Sequence, residues 1–265
     1  MSEVMLGRIA AQLQRPATRK FARPLILFSE LFTTTSHLSL LTGYLASLGW
    51  EVYAIDLYAH QDPARTSLAD LIELAGEAAR AIGAGAIAIG HGLGGLIALK
   101  LAEAPTLGAG VALAPFLPGF ASPLCATWRN RLAAWTGRAL QPPRGRLLFE
   151  LVADADTFHR AALIRNLRPG PSRAVFDAIR GAPDLLFGST ANPRLIVAGD
   201  SDIFAPYDRI ATLANAIGAE LATIRGRGHW LIGGRALERA VGETQRFLVK
   251  RLGQELLLLY PEETG

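Results

Sequence analysis

Four short stretches hold the side chains best suited to proton transfer or nucleophilic attack: Ser29-Glu30-Leu31, Gly90-His91-Gly92-Leu93-Gly94-Gly95, Gly199-Asp200-Ser201-Asp202 and Gly226-Arg227-Gly228-His229-Trp230. An imidazole such as His229 moves protons near neutral pH, and a carboxylate on its Nδ1–H fixes the tautomer and leaves Nε2 to act. Asp200, Asp202 and Glu30 are the carboxylates on offer. Glu30 reads in three ways: a solvated loop acid, a partner for an arginine, or a pocket acid/base. The hydroxyls of Ser29, Thr33, Thr34, Thr35 and Ser201 read as turn or cap residues. No set of residues has metal-ligand spacing, and no Lys-Ser/Thr follows the glycine-rich stretch, so it is not a phosphate loop. No cofactor is expected.

Each stretch follows an apolar run of strand length. Pro24 to Phe28 and Ala86 to Ile89 read as buried strands, and Trp50 to Asp56, Gly108 to Ala114, Arg194 to Ala198 and Glu220 to Ile224 as further strands. Helical patterns alternate with them at His37 to Leu48, Leu68 to Ile82 behind a Ser67 cap, Leu96 to Ala102, Asp208 to Ile217 and Arg235 to Leu252. Val4, Leu6, Ile9, Ala10 and Leu13 have helical spacing, which predicts a short N-terminal helix ended before Pro16. This alternation predicts an α/β fold with a mostly parallel sheet covered by helices on both faces. Residues 115–192 break the rhythm with helical patches and no convincing strand, and read as a helical lid inserted into the core. The expected organisation is a basic leader over 1–23, a core over 24–114 and 193–252, the lid, and a tail over 253–265. A ligand site belongs at the carboxyl ends of the strands, beneath the lid.

Gly90-His91-Gly92-Leu93-Gly94 has the strand–turn–helix setting of the nucleophile elbow G-x-S-x-G, and an aspartate loop and a histidine loop follow it in that order. From about Pro24 to Leu252 the chain resembles the α/β-hydrolase superfamily. The resemblance implies that Asp202, in a G-x-x-D-x-x-x-P pattern, is the acid and His229, in G-x-G-H, the general base. It places Leu93 as an oxyanion N–H donor and Gly92 at the vacant nucleophile position. Asp200 is the rival acid, but the spacing favours Asp202. Leu31, His91 and Trp230 complete the candidate oxyanion and substrate-binding set. His91 reads mainly as packing under the elbow, and Trp128, Trp135 and Trp230 as pocket wall or lid packing. His159 reads as a lid-surface residue.

Three departures from the family pattern stand out. Glycine at 92 removes the nucleophilic oxygen, so no acyl-enzyme forms there, and it relieves the strain of the turn. Ser29-Glu30-Leu31 replaces a His-Gly-x loop and sets a carboxylate beside the oxyanion hole, opposing a developing oxyanion unless it points away or is protonated. Leu57-Tyr58-Ala59-His60 replaces a glycine-bearing turn. Three functions fit these features. The first is an enzyme using His229–Asp202, with Glu30 as a second acid/base, for non-covalent chemistry on a small, largely apolar carbonyl compound: a lyase, isomerase, cyclase or water-activating hydrolase, with Gly92 making room for substrate or water. The second is an inactive pseudo-hydrolase serving as a binding or assembly subunit. The third is an ester or thioester hydrolase whose serine was changed to glycine by design.

Composition narrows the partners. A single cysteine, Cys125, leaves no intramolecular disulfide and no CxxC motif. No stretch approaches the roughly 20 apolar residues of a membrane span, and a cytoplasmic protein is expected. The net charge is +4. Arg8, Arg15, Arg19, Lys20 and Arg23 cluster before the first expected strand without interleaved aromatics, so a solvated leader is read rather than a nucleic-acid contact. Leu256 to Tyr260 reads as packing on its own domain or, if exposed, as a contact to a protein partner or a second copy.

Overall fold

The computed structural model describes residues 1–59, 61–182 and 186–258. His60, Leu259 and Tyr260 therefore lie outside the described residues. Eight strands form one sheet in the order β1-β2-β4-β3-β5-β6-β7-β8. They are β1 (Ser2–Leu6), β2 (Ile9–Gln14), β3 (Leu25–Phe28), β4 (Val52–Ile55), β5 (Ala86–His91), β6 (Leu107–Leu113), β7 (Arg194–Gly199) and β8 (Glu220–Ile224). β1 and β2 run antiparallel to their neighbours, and every pair from β4 through β8 is parallel. The central strands β3, β5 and β6 are buried at every residue, as uniformly apolar runs require when both faces are covered.

Nine α-helices cover this sheet and its connections among the described residues: α1 (Ser39–Ser47), α2 (Leu68–Ile82), α3 (Leu93–Leu101), α4 (Trp128–Trp135), α5 (Gly145–Leu151), α6 (Thr157–Arg165), α7 (Ser172–Arg180), α8 (Tyr207–Ala216) and α9 (Leu237–Leu252). The two-residue period of β7 shows the layering. Leu195 and Val197 join one apolar cluster with Val241, Phe247 and Leu248 of α9. Ile196 and Ala198 join another with Ile210 and Ala214 of α8. Ser67 caps α2 as expected, accepting from the Asp70 N–H while the Asp70 carboxylate accepts from the Ser67 N–H at 2.8 Å.

The N-terminus corrects the sequence reading. Val4 to Leu13 is no helix but the hairpin β1–β2, turned at Gly7-Arg8 with Leu6 opposite Ile9. Gly7 has φ 61°, a conformation suited to such a two-residue turn. Ile9, Ala11 and Leu13 are buried at every second position, which is the strand period. The basic cluster is solvent-exposed as read, with Arg8, Arg15, Arg19 and Lys20 all exposed, but it is tied to the domain. Arg8 makes a two-pronged pair with Glu77 of α2, Arg23 pairs with Glu255, and Phe21 stacks on Trp50 at 3.7 Å between centroids. In the described part of the tail Leu256 is buried and its carbonyl accepts from the Ala22 N–H at 2.9 Å, while the Leu257 and Leu258 side chains are exposed.

Residues 115–192 carry α4 to α7 and lie over the loops that leave β3 and β4. His37 Nε2–H donates to the Leu163 carbonyl at 3.0 Å, Arg168 N–H donates to the Phe32 carbonyl at 2.8 Å, and the Arg168 guanidinium stands 3.5 Å from Asp56. No helix among the described residues is long and apolar enough to cross a membrane.

Candidate functional site

The loops after β3, β5, β7 and β8 meet at the carboxyl edge of the sheet and bring together Glu30, Gly92, Asp202 and His229. His229 Nδ1–H donates to Asp202 Oδ2 at 2.8 Å, and Nε2–H donates to Glu30 Oε2 at 2.8 Å. The other Asp202 oxygen accepts from the Phe204 and Ala205 N–H groups at 2.7 and 3.1 Å. Asp200 is turned away, with Oδ1 accepting from the Gly226 N–H at 2.7 Å. It therefore braces the turn before His229 and leaves the imidazole to Asp202.

Glu30 Oε1 accepts from the N–H of Leu93, at 3.2 Å, and from the N–H of Leu31. These are the two donors expected to face an oxyanion. Glu30 thus neither points away nor stands aside; its carboxylate fills the cradle. The loop is fixed for this by Thr33, whose N–H and hydroxyl both donate to the Glu30 carbonyl, and by Phe32, held at φ 71°. A non-glycine residue in that region costs about 1–3 kcal/mol, so the surrounding packing must over-determine it.

Gly92 completes the arrangement. Its φ of 53° and ψ of −116° are angles glycine tolerates readily. A Cβ there would lie 1.2 Å from Glu30 Oε2 and 1.9 Å from its carboxyl carbon. The room expected for substrate or water is occupied by the Glu30 carboxylate, and no other residue at 92 is compatible with it.

Burial opposes a charge on His229, but Asp202 and Glu30, one on each nitrogen, outweigh it and raise the pKa to about 10. Both ring nitrogens donate, so the ring is an imidazolium at neutral pH. Burial pushes His91 down to about 4, helped by repulsion from His229. Its Nε2–H donates to the His229 carbonyl at 2.8 Å, which leaves a lone pair on Nδ1. That Nδ1 has no hydrogen-bond partner and lies 3.9 Å from Glu30 Oε2. Glu30, His91 and His229 each bring one possible metal-ligand atom within 4.8 Å of the others. A cation would first have to displace the proton on His229 Nε2, so this set favours a proton over a metal.

Trp230 is buried with its ring edge-on to His91 at 5.7 Å. Trp128 and Trp135 neither wall a pocket nor pack the insertion, being 74% and 85% exposed. His159 is exposed on α6, 3.9 Å from Asp156. Sequence reasoning missed two residues. Asp154, between α5 and α6, accepts from the Gly228 N–H at 2.6 Å and from Arg227 at 3.3 Å, and so holds the histidine loop from the insertion. His37 ties the β3 loop to α6. Neither lies in a motif, and only the tertiary contact reveals them.

Comparison with solved structures gives the same architecture at low identity. A monoacylglycerol lipase from Paleococcus ferrophilus superposes with TM-score 0.67 at 19% identity, covering 90% of this chain and 98% of that one. A thermophilic esterase from Thermogutta terrifontis gives 0.69 at 16%, covering 94% and 99%. A methylesterase from Arabidopsis gives 0.64 at 13%, covering 84% and 98%. Identities this low speak for the fold alone. No curated protein sequence matches the chain. The profile of the alpha/beta hydrolase family matches residues 27–242. With that match spanning most of the chain, and with loops after β5, β7 and β8 in the family's order, the protein belongs to the alpha/beta hydrolase family.

Proposed function

We propose that this protein is a water-activating hydrolase whose elbow serine is absent and whose nucleophile is the Glu30 carboxylate, with His229–Asp202 as the acid/base pair acting on a small, largely apolar compound. One observation carries this reading. The two Glu30 oxygens occupy the two positions a serine mechanism needs, Oε2 on His229 Nε2 beside Gly92 and Oε1 in the Leu31–Leu93 cradle.

A carboxylate held this way attacks carbon through Oε2. Because the cradle is already filled, the electrophile is a saturated carbon rather than a substrate carbonyl, with a leaving oxygen that accepts a proton, as in a strained cyclic ether. The Oε2–C bond forms, the ring C–O bond breaks, and the freed oxygen takes the proton from His229 Nε2. Glu30 is then a neutral ester, its carbonyl oxygen Oε1 still in the cradle. Loss of the Glu30 charge lowers the His229 pKa and makes the ring a base. Water adds to the ester carbon and gives its proton to His229, while the oxyanion at Oε1 is held by Leu31 and Leu93. Collapse expels the alcohol, which takes that proton back. The resulting Glu30 carboxylic acid returns its own proton to His229, so cyclic ether plus water gives diol. The free Nδ1 lone pair of His91 is a further acceptor for the water.

A serine at 92 would collide with Glu30, which argues against a hydrolase inactivated by design. A second reading, the pseudo-hydrolase binding or assembly subunit, is favoured by burial, since Glu30 is 0% exposed. Single turnovers on small apolar epoxides in ¹⁸O-water separate the two. The expected results are ¹⁸O in the Glu30 peptide of the parent and none in His229→Gln, which lacks both the acid for ring opening and the base for ester hydrolysis. Without label in the parent, the nucleophile reading fails and the binding reading takes its place.

A further inference from the structure

Helix α4 is amphipathic in the wrong sense for a helix packed on its own domain. Trp128, Leu132 and Trp135 are 74%, 51% and 85% exposed, while Asn130 is buried, donating through Nδ2 to the Gln141 carbonyl at 3.0 Å. At about 100° per residue the three apolar side chains fall within roughly 60° of arc. They form one outward stripe, flanked by Arg131 on one side and Arg129 on the other.

The charge around this stripe has a single sign. Between Glu103 and Glu150 the chain has no acidic residue and five arginines, Arg129, Arg131, Arg138, Arg144 and Arg146. Among the described residues Arg129, Arg131, Arg138 and Arg144 form no ion pair, and Arg146 reaches Glu150 at 3.6 Å. Where acids lie nearby, surface arginines do pair: Arg8 with Glu77, Arg173 with Asp177, Arg251 with Glu220.

We propose that α4 docks on an anionic lipid surface, with Trp128, Leu132 and Trp135 in the headgroup–acyl boundary and the arginines on lipid phosphates. Tryptophan has an apolar body with a polar N–H, which suits that boundary, and arginine can bury its stem while keeping its charge at the headgroups. A second copy of the chain fits less well, because a two-fold contact would set the same unpaired arginines against each other.

The test is co-sedimentation of the full chain with phosphatidylcholine vesicles, with and without phosphatidylglycerol at roughly a quarter of the lipid. The expected result is binding only to the anionic vesicles, weakening as salt is raised. Trp128→Ala/Trp135→Ala should bind at least tenfold more weakly. Arg129→Gln/Arg131→Gln/Arg138→Gln should lose about a hundredfold at low salt, near fivefold per arginine. Val249→Ala, an exposed apolar residue on α9, should bind like the parent. All these side chains are solvent-facing or half-buried, so unchanged thermal unfolding will show that the variants are folded. The proposal is overturned if anionic vesicles bring down no protein at low salt, or if the tryptophan variant binds equally well. Self-association in solution that the tryptophan variant abolishes would overturn it too, by assigning the stripe to a second copy.

Discussion

Replacing Gly92 by serine, which looks like a restoration of the family motif, should instead break the site. The new Cβ would sit 1.2 Å from Glu30 Oε2, so the carboxylate must leave. Leaving strips His229 of one of its two acceptors and frees the Leu31 and Leu93 N–H groups. Breaking a buried charged pair by removing one partner costs about 3–5 kcal/mol. Holding serine at φ 53° adds roughly 1–3 kcal/mol. Together these take about 4–8 kcal/mol from a fold whose total stability is on the order of 5–15 kcal/mol. Glu30→Gly alone is also destabilising, because it orphans the same donors. The double variant Gly92→Ser/Glu30→Gly should recover about 3 kcal/mol or more relative to additivity, since the serine then has room and His229 Nε2 has a partner. Urea unfolding of the four proteins in the cycle measures this coupling, and a fluorophosphonate probe read by intact mass reports the chemistry. The parent and Gly92→Ser should stay unlabelled, whereas the double variant should label. A stable, labelled Gly92→Ser, or a coupling below about 0.5 kcal/mol, would refute the exclusion argument.

Three further outcomes follow from the same contacts. The His229 pKa, about 10 despite burial because of Asp202 and Glu30, links stability to alkaline pH. The contribution is fully present below the ordinary histidine value near 6.5 and is lost as pH rises through about 10, so the urea midpoint should fall across that window by an amount worth a few kcal/mol, and should do so much less in His229→Gln. Asp154→Ala leaves the part-buried Gly228 N–H and the Arg227 guanidinium without an acceptor and should cost about 1–3 kcal/mol, while Asp154→Asn, which keeps an oxygen in place, should cost less in the same assay. Burial, aided by the Glu30 charge, pushes the Cys125 thiol up to about 12, so iodoacetamide at pH 8 should leave the native protein unmodified and alkylate it only in denaturant.

The elements that were legible are those whose residues announce their own surroundings. Apolar runs such as Leu25 to Phe28 and Leu195 to Ala198 are too short and too uniform for anything but central strands, and the loops after β7 and β8 place Asp202 and His229 together. The N-terminal hairpin was misread because Val4, Leu6, Ile9 and Leu13 satisfy helical spacing as well as strand alternation. The turn pair Gly7-Arg8 was the deciding signal. The partners of the basic cluster were not legible because its acids, Glu77 and Glu255, are far away in sequence. Glu30 and Gly92 were each visible as departures from the family pattern. What spacing did not show is that they are one feature. The carboxylate reaches the hole only because residue 92 has no Cβ, and that relation exists in space alone. The outward face of α4 was hidden for the converse reason, since tryptophans in a helical patch ordinarily imply packing.

The charge balance explains how such a site can stay buried, and it yields a sharp test. Serine, neutral histidine and aspartate carry a net charge of about −1. Glutamate, imidazolium and aspartate carry the same, because the proton on His229 offsets the added carboxylate. No new countercharge is needed. The N–H donors of Leu31, Leu93, Phe204 and Ala205, with the N-terminus of α3 at Leu93, meet the same total. A glutamyl ester with neutral His229 and charged Asp202 again sums to −1, so in the proposed cycle the buried charge is constant while the proton moves. It follows that the charge on residue 30 adds to that of Asp202 in holding the second proton on His229. Glu30→Gln fits the same space and removes that charge, so the His229 pKa should fall from about 10 toward the ordinary histidine range. Imidazole NMR resonances followed against pH would show the ring losing its second proton near neutrality in the variant. A ring still doubly protonated above about pH 9 in Glu30→Gln would mean that Asp202 alone holds the charge, and the coupling between residues 30 and 229 would have to be abandoned.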